Sequence, residues 1–455
     1  MPEILIAILA VIFVLGVAIN IHEFGHFIVA KLLGMRVDAY SFFGLGPRIA
    51  GFKWGNTDYR ISAIPLGAYV KLYGDESNSG LEGKDDQAEK VPDSELYELR
   101  PRWQKFLVMI GGPVMNILLA LAIPFAAAYI QGVPVMPAPI VGVVKSDGAA
   151  AQAGLQVGDR VLSFNHIENP TWQRIFDDAL LLPDKQIPMT VERNGAPVNL
   201  TITPRKETIN NQTAGMLDFE PDEGEEPVVV NATREGYPAA AAGLKNGDRI
   251  LTVNGTTVRN GQQFRQIIQE NKNSTVNLVI ADRDGERRET ALQPKISESG
   301  QALLGVELGT QLSSREPATF ASAASMAWNE DMRILRMTGQ AFGQVGKGER
   351  SARETISGPI GIVQIISQVV LQAGWAGLFS ILMVISLNLG IFNLLPIPML
   401  DGGQIVVLGI EGLLALFGMK LSMLVRERIQ MVGLGMILLL MVFVMFNDIS
   451  RLVGF

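Results

Sequence analysis

Runs of apolar residues free of ionisable side chains set the outline of this chain. No Asp, Glu, Lys or Arg occurs in residues 4–21, 106–144, 355–400 or 429–447. Each run reaches the roughly 18–20 apolar residues that a helix needs to cross a bilayer, so the pattern predicts four transmembrane helices. Residues 402–419, interrupted by Glu411, read as an additional re-entrant or interfacial helix. The first run outlasts the apolar core of a cleavable signal and lacks a basic leader, which predicts that it stays in the membrane. Lys31 and Arg36 follow the first run, Arg100, Arg102 and Lys105 precede the second, and Lys420, Arg426 and Arg428 separate the third from the fourth. By the positive-inside rule these connections are cytoplasmic, and both termini and the segment from about residue 132 to 370 face the opposite side.

That exported segment contains a repeat. Ala153, Gly154, Gly158, Asp159, Arg160 and Asn165 recur 89 positions later as Ala242, Gly243, Gly247, Asp248, Arg249 and Asn254. Asn194-Gly195 and Asp284-Gly285 are matching hairpin signals, and GMLDFEP (215–221) parallels LLGVELG (303–309). The pattern resembles PDZ domains of the kind found in bacterial proteases, which implies small α+β units with a groove that accepts an extended peptide by strand addition. The plainer reading is a pair of spacer domains. The acidic run at residues 207–227 reads as half domain edge and half linker.

Composition narrows the classes. Hydrophobic residues make up 48% and charged residues 18%, a membrane-protein balance. There is no cysteine, so each exported unit must fold on its own core. A net charge of -7 argues against a nucleic-acid partner and leaves proteins and the lipid bilayer.

The chemistry sits inside the first apolar helix, in IHEFGHFIVAKLLG. Residues four apart share a helix face, so His22 and His26 point together with Glu23 beside them. Two neutral imidazoles at this spacing suit Zn2+, and the adjacent carboxylate suits a general base on a water held there. The alternative, satisfied core histidines, leaves three polar side chains unpaired in hydrocarbon at a cost of several kcal/mol. The third His of the chain, His166, reads as a surface turn residue.

A catalytic zinc normally takes three protein ligands, and Asp401 is the candidate third. It follows 46 uncharged residues in NLGIFNLLPIPMLDGGQ. Pro396 and Pro398 break the helix there, and Gly402 and Gly403 are expected to let the backbone turn sharply. The competing role for Asp401 is N-cap of the helix that follows.

HEFGH in a first span, two PDZ-like repeats after the second, and NLLPIPMLDGG at the end of the third together resemble the site-2 protease family of intramembrane zinc metalloproteases. The resemblance covers nearly the whole chain and implies that His22, His26 and Asp401 bind zinc and Glu23 activates water. It implies that Asn393, within Asn-x-x-Pro-x-Pro-x-Leu-Asp-Gly, positions the substrate strand, and Asn388 is a further substrate-binding candidate. GPVMN (112–116) and SGPIGI (357–362) are also similar to family segments. Gln404 stands where some relatives carry His, leaving Asp401 as the third ligand. Implied substrates are single-span membrane proteins, among them trimmed anti-sigma factors and remnant signal peptides, with the PDZ pair as a size gate. The implied location is the bacterial inner membrane, with the repeats on the periplasmic side.

A helix must be unwound before it is cut. Residues 40–73 alternate aromatic and β-branched positions with Gly and Pro, predicting a membrane-associated β-hairpin or small sheet whose edge clamps substrate, with Gly44 and Gly46 allowing close approach. His22 lies nine residues, roughly 14 Å, before Lys31, which places the site in the cytoplasmic half of the bilayer. The expected layout is a first transmembrane helix within residues 1–33, a cytoplasmic β region at 34–103 and a second helix at 104–131. PDZ-like domains follow at 132–222 and 223–312, then an exported helical segment at 313–373. A third helix with LDGG and the re-entrant helix occupies 374–419, and a fourth helix 427–447. Two rivals remain: a PDZ membrane scaffold or chaperone with a structural metal, and a metal transporter, which needs more intramembrane polar residues than Asn388 and Asn393.

Overall fold

The computed structural model describes residues 2–64, 67–74, 91–134, 138–209, 212–222, 228–258, 261–282, 285–297, 301–309 and 315–453. The chain forms two compact units, one of Met1–Ile130 with Ala318–Phe455 and a second of Gln131–Pro317.

Among the described residues, four helices are long and apolar enough to cross a membrane: Pro2–Leu32, Arg102–Gln131, Pro359–Asn393 and Met423–Val453. Helix Pro359–Asn393 is broken at Gly374 (φ 56°, ψ −134°), a conformation only glycine adopts readily. At 1.5 Å per residue an unbroken helix of that length is roughly 50 Å long, well beyond the hydrocarbon core.

Packing between spans relies on small residues. Ala10, Val14 and Ala18 repeat every four positions and pack against Ile366, Val370, Leu378 and Leu382 of the third span. The first and second spans cross at Gly25 and Gly111, where a Cβ on Gly25 would lie 2.2 Å from the Gly111 carbonyl oxygen. The fourth span rests Gly433 on Pro398, and near its end Asp448 accepts the amides of Gly358 (3.0 Å) and Gly361 (2.9 Å). Asp448 thereby caps a third span whose own N-cap residue, Gly358, has no side chain to do so. Exposed Ile4, Leu9, Leu439, Val442 and Phe446 give the bundle a surface suited to lipid.

Between the first two spans the chain forms a four-stranded sheet: β1 (Val37–Phe43), β2 (Leu45–Trp54), β3 (Thr57–Ile64) and β4 (Tyr69–Leu72), in the order β2-β3-β1-β4. β1 and β3 are parallel, and the other pairs are antiparallel. Phe27, Tyr40, Val70, Leu72, Tyr97 and Val108 form one core that fastens this sheet to the first two spans. β2 carries exposed Ile49, Phe52 and Trp54, too apolar an edge for water alone.

The second unit holds two PDZ-like repeats, each with its own core. Val161, Phe164, Trp172, Ile175 and Met189 centre the first, and Ile250, Phe264, Ile268, Leu278 and Ile280 the second. The helices over the two sheets are Trp172–Leu181 and Gly261–Glu270. The repeated Asp has a structural job. Asp159 accepts the Gln156 amide (2.8 Å) and two bonds from Arg193 (2.8 and 2.7 Å), while Asp248 accepts the Lys245 amide (3.0 Å) and Arg288 (2.8 Å). The repeated Asn165 and Asn254 take left-handed turn conformations, as does exposed His166. Asn194-Gly195 makes the expected turn with positive φ at both residues. Asp284, in the matching signal, lies outside the described residues. Part of the acidic run is a hairpin of Arg205–Ile209 with Gln212–Met216, and residues 223–227 lie outside the described set.

Asp159→Ala removes three hydrogen bonds at a buried carboxylate, each worth about 1.5–3 kcal/mol where a charged group takes part. Amide exchange followed by mass spectrometry on the full chain is expected to speed up about tenfold or more in the first repeat. Exchange in the second repeat should not change.

Candidate metal centre

The first span delivers His22, Glu23 and His26 on consecutive turns of one helix, and Asp401 arrives from the start of helix Asp401–Leu416. His22 Nε2 lies 3.1 Å from Asp401 Oδ2, His26 Nε2 lies 3.5 Å from Asp401 Oδ1, and the two Nε2 atoms are 3.2 Å apart. One ligand atom from each residue falls within 4.8 Å of the others. Glu23 lines the same cavity of about 350 Å3, together with Val70, Leu72, Tyr97, Asn393, Met399 and Gln404.

Hydrogen bonding decides how the rings are used. His26 Nδ1 is 2.7 Å from the Val108 carbonyl oxygen, so Nδ1–H donates there and Nε2 is left with its lone pair. That lone pair faces His22 Nε2 and the Asp401 carboxylate, whose buried Oδ2 lies 3.1 Å from His22 Nε2. With Nε2 of both rings and the carboxylate deprotonated, these electron-rich atoms repel one another, and a divalent cation between them would reverse the sign. A ring nitrogen held by a backbone carbonyl on its far side is also the usual support for a metal-binding His. The far side of His22 faces the side-chain amides of Asn116 (3.4 Å from Nδ1) and Asn393 (3.5 Å), groups that can donate or accept. The residues therefore fit a zinc ion, which His22 and His26 would hold through nitrogen and Asp401 through oxygen.

Asp401 does not cap its helix. It is the first helical residue, Leu400 is the N-cap, and no side-chain cap bond forms. Gly402 and Gly403 also act differently from expectation: neither has positive φ, and the left-handed residue is Met399 (φ 81°). The two glycines lie in the first helical turn and allow contact with the chain before it, since a Cβ would come within 2.2 Å of Leu394 O at Gly402 and 2.1 Å of Ile397 O at Gly403. That contact folds the Pro-x-Pro segment back and brings Asp401 to the histidines.

Of the substrate-binding candidates, Asn393 reaches the site, 3.3 Å from His22 Nε2. Asn388 does not line the cavity. Its amide donates to Val384 O and its oxygen accepts from Thr338. Gly44 and Gly46 have positive φ at the β1–β2 connection, where Gly44 N–H donates to Gly67 O at 2.8 Å. They are not among the cavity-lining residues. The strand that does line the cavity is β4, through Val70 and Leu72. It is an edge strand, and the Val70 amide bonds to Glu23.

Several contributors carry no recognisable chemistry in the sequence. Gly112 is one: a Cβ there would stand 2.4 Å from His26 Nε2 and 2.8 Å from His22 Cε1. Asn116 is another, fully buried and accepting the Ser386 hydroxyl through its backbone oxygen at 3.0 Å. Both belong to GPVMN, whose similarity to family segments is visible without a role. The Val108 carbonyl, a backbone group, leaves no mark in the sequence.

The family model described as Peptidase family M50 matches residues 10–440 of the chain. A Yersinia pestis protein named Protease RseP is 30% identical over 488 residues, covering 99% of this chain and 100% of the relative. A Vibrio cholerae protein named "Putative zinc metalloprotease" is also 30% identical, with the same coverage of both chains. Among solved structures, the PDZ domain of an SdrC-like protein from Listeria innocua is 25% identical, over 18% of this chain and 93% of that one, with a TM-score of 0.17.

Gly112→Ala adds a methyl group inside van der Waals distance of both imidazoles. It is expected to weaken zinc binding at least tenfold while the chain stays folded, since displacing groups that support metal ligands costs about 10–100-fold. Competitive chelator titration of the purified protein measures this, with Gly409→Ala, where the added Cβ meets nothing within 4 Å, as the unaffected control.

Proposed function

The chain belongs to peptidase family M50, the site-2 protease family of intramembrane metalloproteases, and we propose that His22, His26 and Asp401 hold its zinc and Glu23 is its general base. The observation that carries this reading is the convergence of two imidazole nitrogens and one carboxylate beside a further carboxylate in a common cavity.

Zinc bound there would polarise the scissile carbonyl and acidify a water. The chain's own groups do the rest. Glu23 takes the proton of the attacking water and passes it to the departing amine, which becomes the new N-terminus. Asn393, within reach of the cavity, donates to the substrate backbone. β4, the strand at the end of the sheet beside the cavity, pairs with a segment pulled out of helical form, replacing hydrogen bonds that segment gives up. This moves the clamp from Gly44 and Gly46 to β4, next to Glu23. Gly44 and Gly46 then serve to shape the sheet: a Cβ at Gly44 would come 2.5 Å from Ser62 O.

The enzyme is an endopeptidase embedded in the membrane, and its substrates on this reading are transmembrane segments of single-span proteins, including trimmed anti-sigma factors and remnant signal peptides. Lys31, Arg36, Arg100 and Arg102 support a cytoplasmic position for the ends of the first two spans nearest the sheet. The site then lies in the cytoplasmic half of the bilayer and the repeats lie on the periplasmic side. A scaffold with a structural metal would need a closed four-ligand site. Three ligands facing an open cavity favour catalysis.

Glu23→Gln is expected to abolish cleavage of a reconstituted single-span substrate, by about 10²–10⁴-fold or more, while retaining one zinc per chain. Asp401→Ala should lose both cleavage and metal. Cleavage at the wild-type rate by Glu23→Gln would remove the general-base assignment, and full zinc occupancy in Asp401→Ala would remove that ligand.

A further inference from the structure

Helix Phe320–Gly346, which follows the second repeat, buries an acid that the peptidase chemistry does not use. Its buried face is Ala323, Ala327, Asp331 and Ile334, at helical spacing. Asp331 is 1% exposed, and among the described residues neither of its carboxylate oxygens has a hydrogen-bond partner. An ionised carboxylate is costly in such a position, whereas a protonated one is a neutral group with a hydrogen to donate.

The helix lies in a groove between the second and third spans. Ile334 packs with Ala120 of the second span and with Met383 and Leu387 of the third. Phe320 meets Phe125 (5.2 Å between ring centres), Thr338 Oγ1 donates to Asn388 Oδ1 (3.4 Å), and Phe342 meets Phe392 (5.7 Å). These contacts run the helix antiparallel to the second span, so Asp331, nearly one turn before Ile334, lies toward the Pro124 side of Ala120. Pro124 has no N–H to give to the Ala120 carbonyl four residues back, and that carbonyl points along its helix toward Pro124. Ala120 is fully buried. An acid without an acceptor and a carbonyl without its helical donor therefore lie at one level of the groove. No opposite charge settles the acid. The second span beyond Lys105 has Tyr129 as its one titratable side chain, and the third span has none. On the helix itself Glu330 is held by Arg333 (2.9 and 2.6 Å), and Arg336 lies off the buried face. Arg353, on the short helix Ala352–Thr355, donates to Ser450.

We propose that the Asp331 carboxyl, in its neutral form, donates to the Ala120 carbonyl and latches helix Phe320–Gly346 into the groove, and that loss of this proton releases the helix. The latch stands independently of the metal assignment, yet its release reaches the site, because the helix braces the third span at Asn388 and Phe392, next to Asn393. The direction follows from linkage. Burial, with the Glu330 charge adding to it, raises the Asp331 carboxyl from the ordinary 3.8 to about 6 in the docked helix. Docking is therefore at full strength below pH 3.8 and weakens as pH rises through about 6.

The chain has no cysteine, so Leu118→Cys with Gly339→Cys gives a unique pair of nitroxide labels, one on the second span and one on the helix. Leu118 is exposed, and a Cβ at Gly339 meets nothing within 4 Å. The full chain is labelled in detergent micelles, and aliquots of that one batch are brought to a series of pH values and read by pulsed dipolar spectroscopy. One narrow distance is expected in acid, and a second, longer population should grow in with a midpoint at about pH 6. Asp331→Asn, which keeps a donor and cannot ionise, should show the narrow distance alone at every pH. Pro124→Ala returns a helical partner to the Ala120 carbonyl and should lower the midpoint by about one pH unit, the equivalent of one hydrogen bond. A wild-type distance that does not change with pH, a transition that survives Asp331→Asn, or a midpoint unmoved by Pro124→Ala would overturn the proposal.

Discussion

Three lone-pair-bearing atoms from opposite ends of the chain meet within 4.8 Å of one another in an apolar surrounding, and the rest of the membrane unit is arranged to make that tolerable. Water cannot separate such groups inside a bilayer, and protons cannot serve all of them, because Val108 O holds the proton of His26 on its far side. A divalent cation resolves the conflict at low cost. Zn2+, one carboxylate and one hydroxide sum to zero charge, which suits a low-dielectric site.

The glycines follow from the same constraint. Bringing the second span close enough for Val108 to hold His26 requires backbones to touch, so Gly25, Gly111 and Gly112 have no Cβ to give up. Bringing Asp401 back from the end of the third span requires Gly402 and Gly403 to lie under Leu394 and Ile397. The third span is tied at its other end by Asp448, a carboxylate that replaces a missing cap. Helix association in lipid has no hydrophobic drive to rely on, so close small-residue contacts and buried polar bonds take its place.

How much of this is legible in the sequence depends on whether a side chain carries the information. His22 and His26 announce themselves by a spacing of four in an uncharged helix, and Asp401 by its isolation. Four spans are visible from charge-free runs. Glycines at helix crossings look like helix breakers in a sequence. Their purpose shows only when the neighbour is in place, which is why Gly402 and Gly403 read as turn residues. Gly44 and Gly46 draw attention by residue type, whereas the strand beside the cavity, β4, is an ordinary Tyr-Val-Lys-Leu. The repeat is plain at Asp159 and Asp248 because the same hydrogen bonds are built twice.

X-ray absorption at the zinc edge of the purified full-length protein interrogates the convergence most directly. The expected spectrum has a first shell of nitrogen and oxygen only, at about 2.0–2.1 Å, with outer-shell scattering from two imidazoles that falls to one in His26→Ala. A spectrum without imidazole scattering, or one unchanged in His26→Ala, would contradict a metal held between the first span and Asp401.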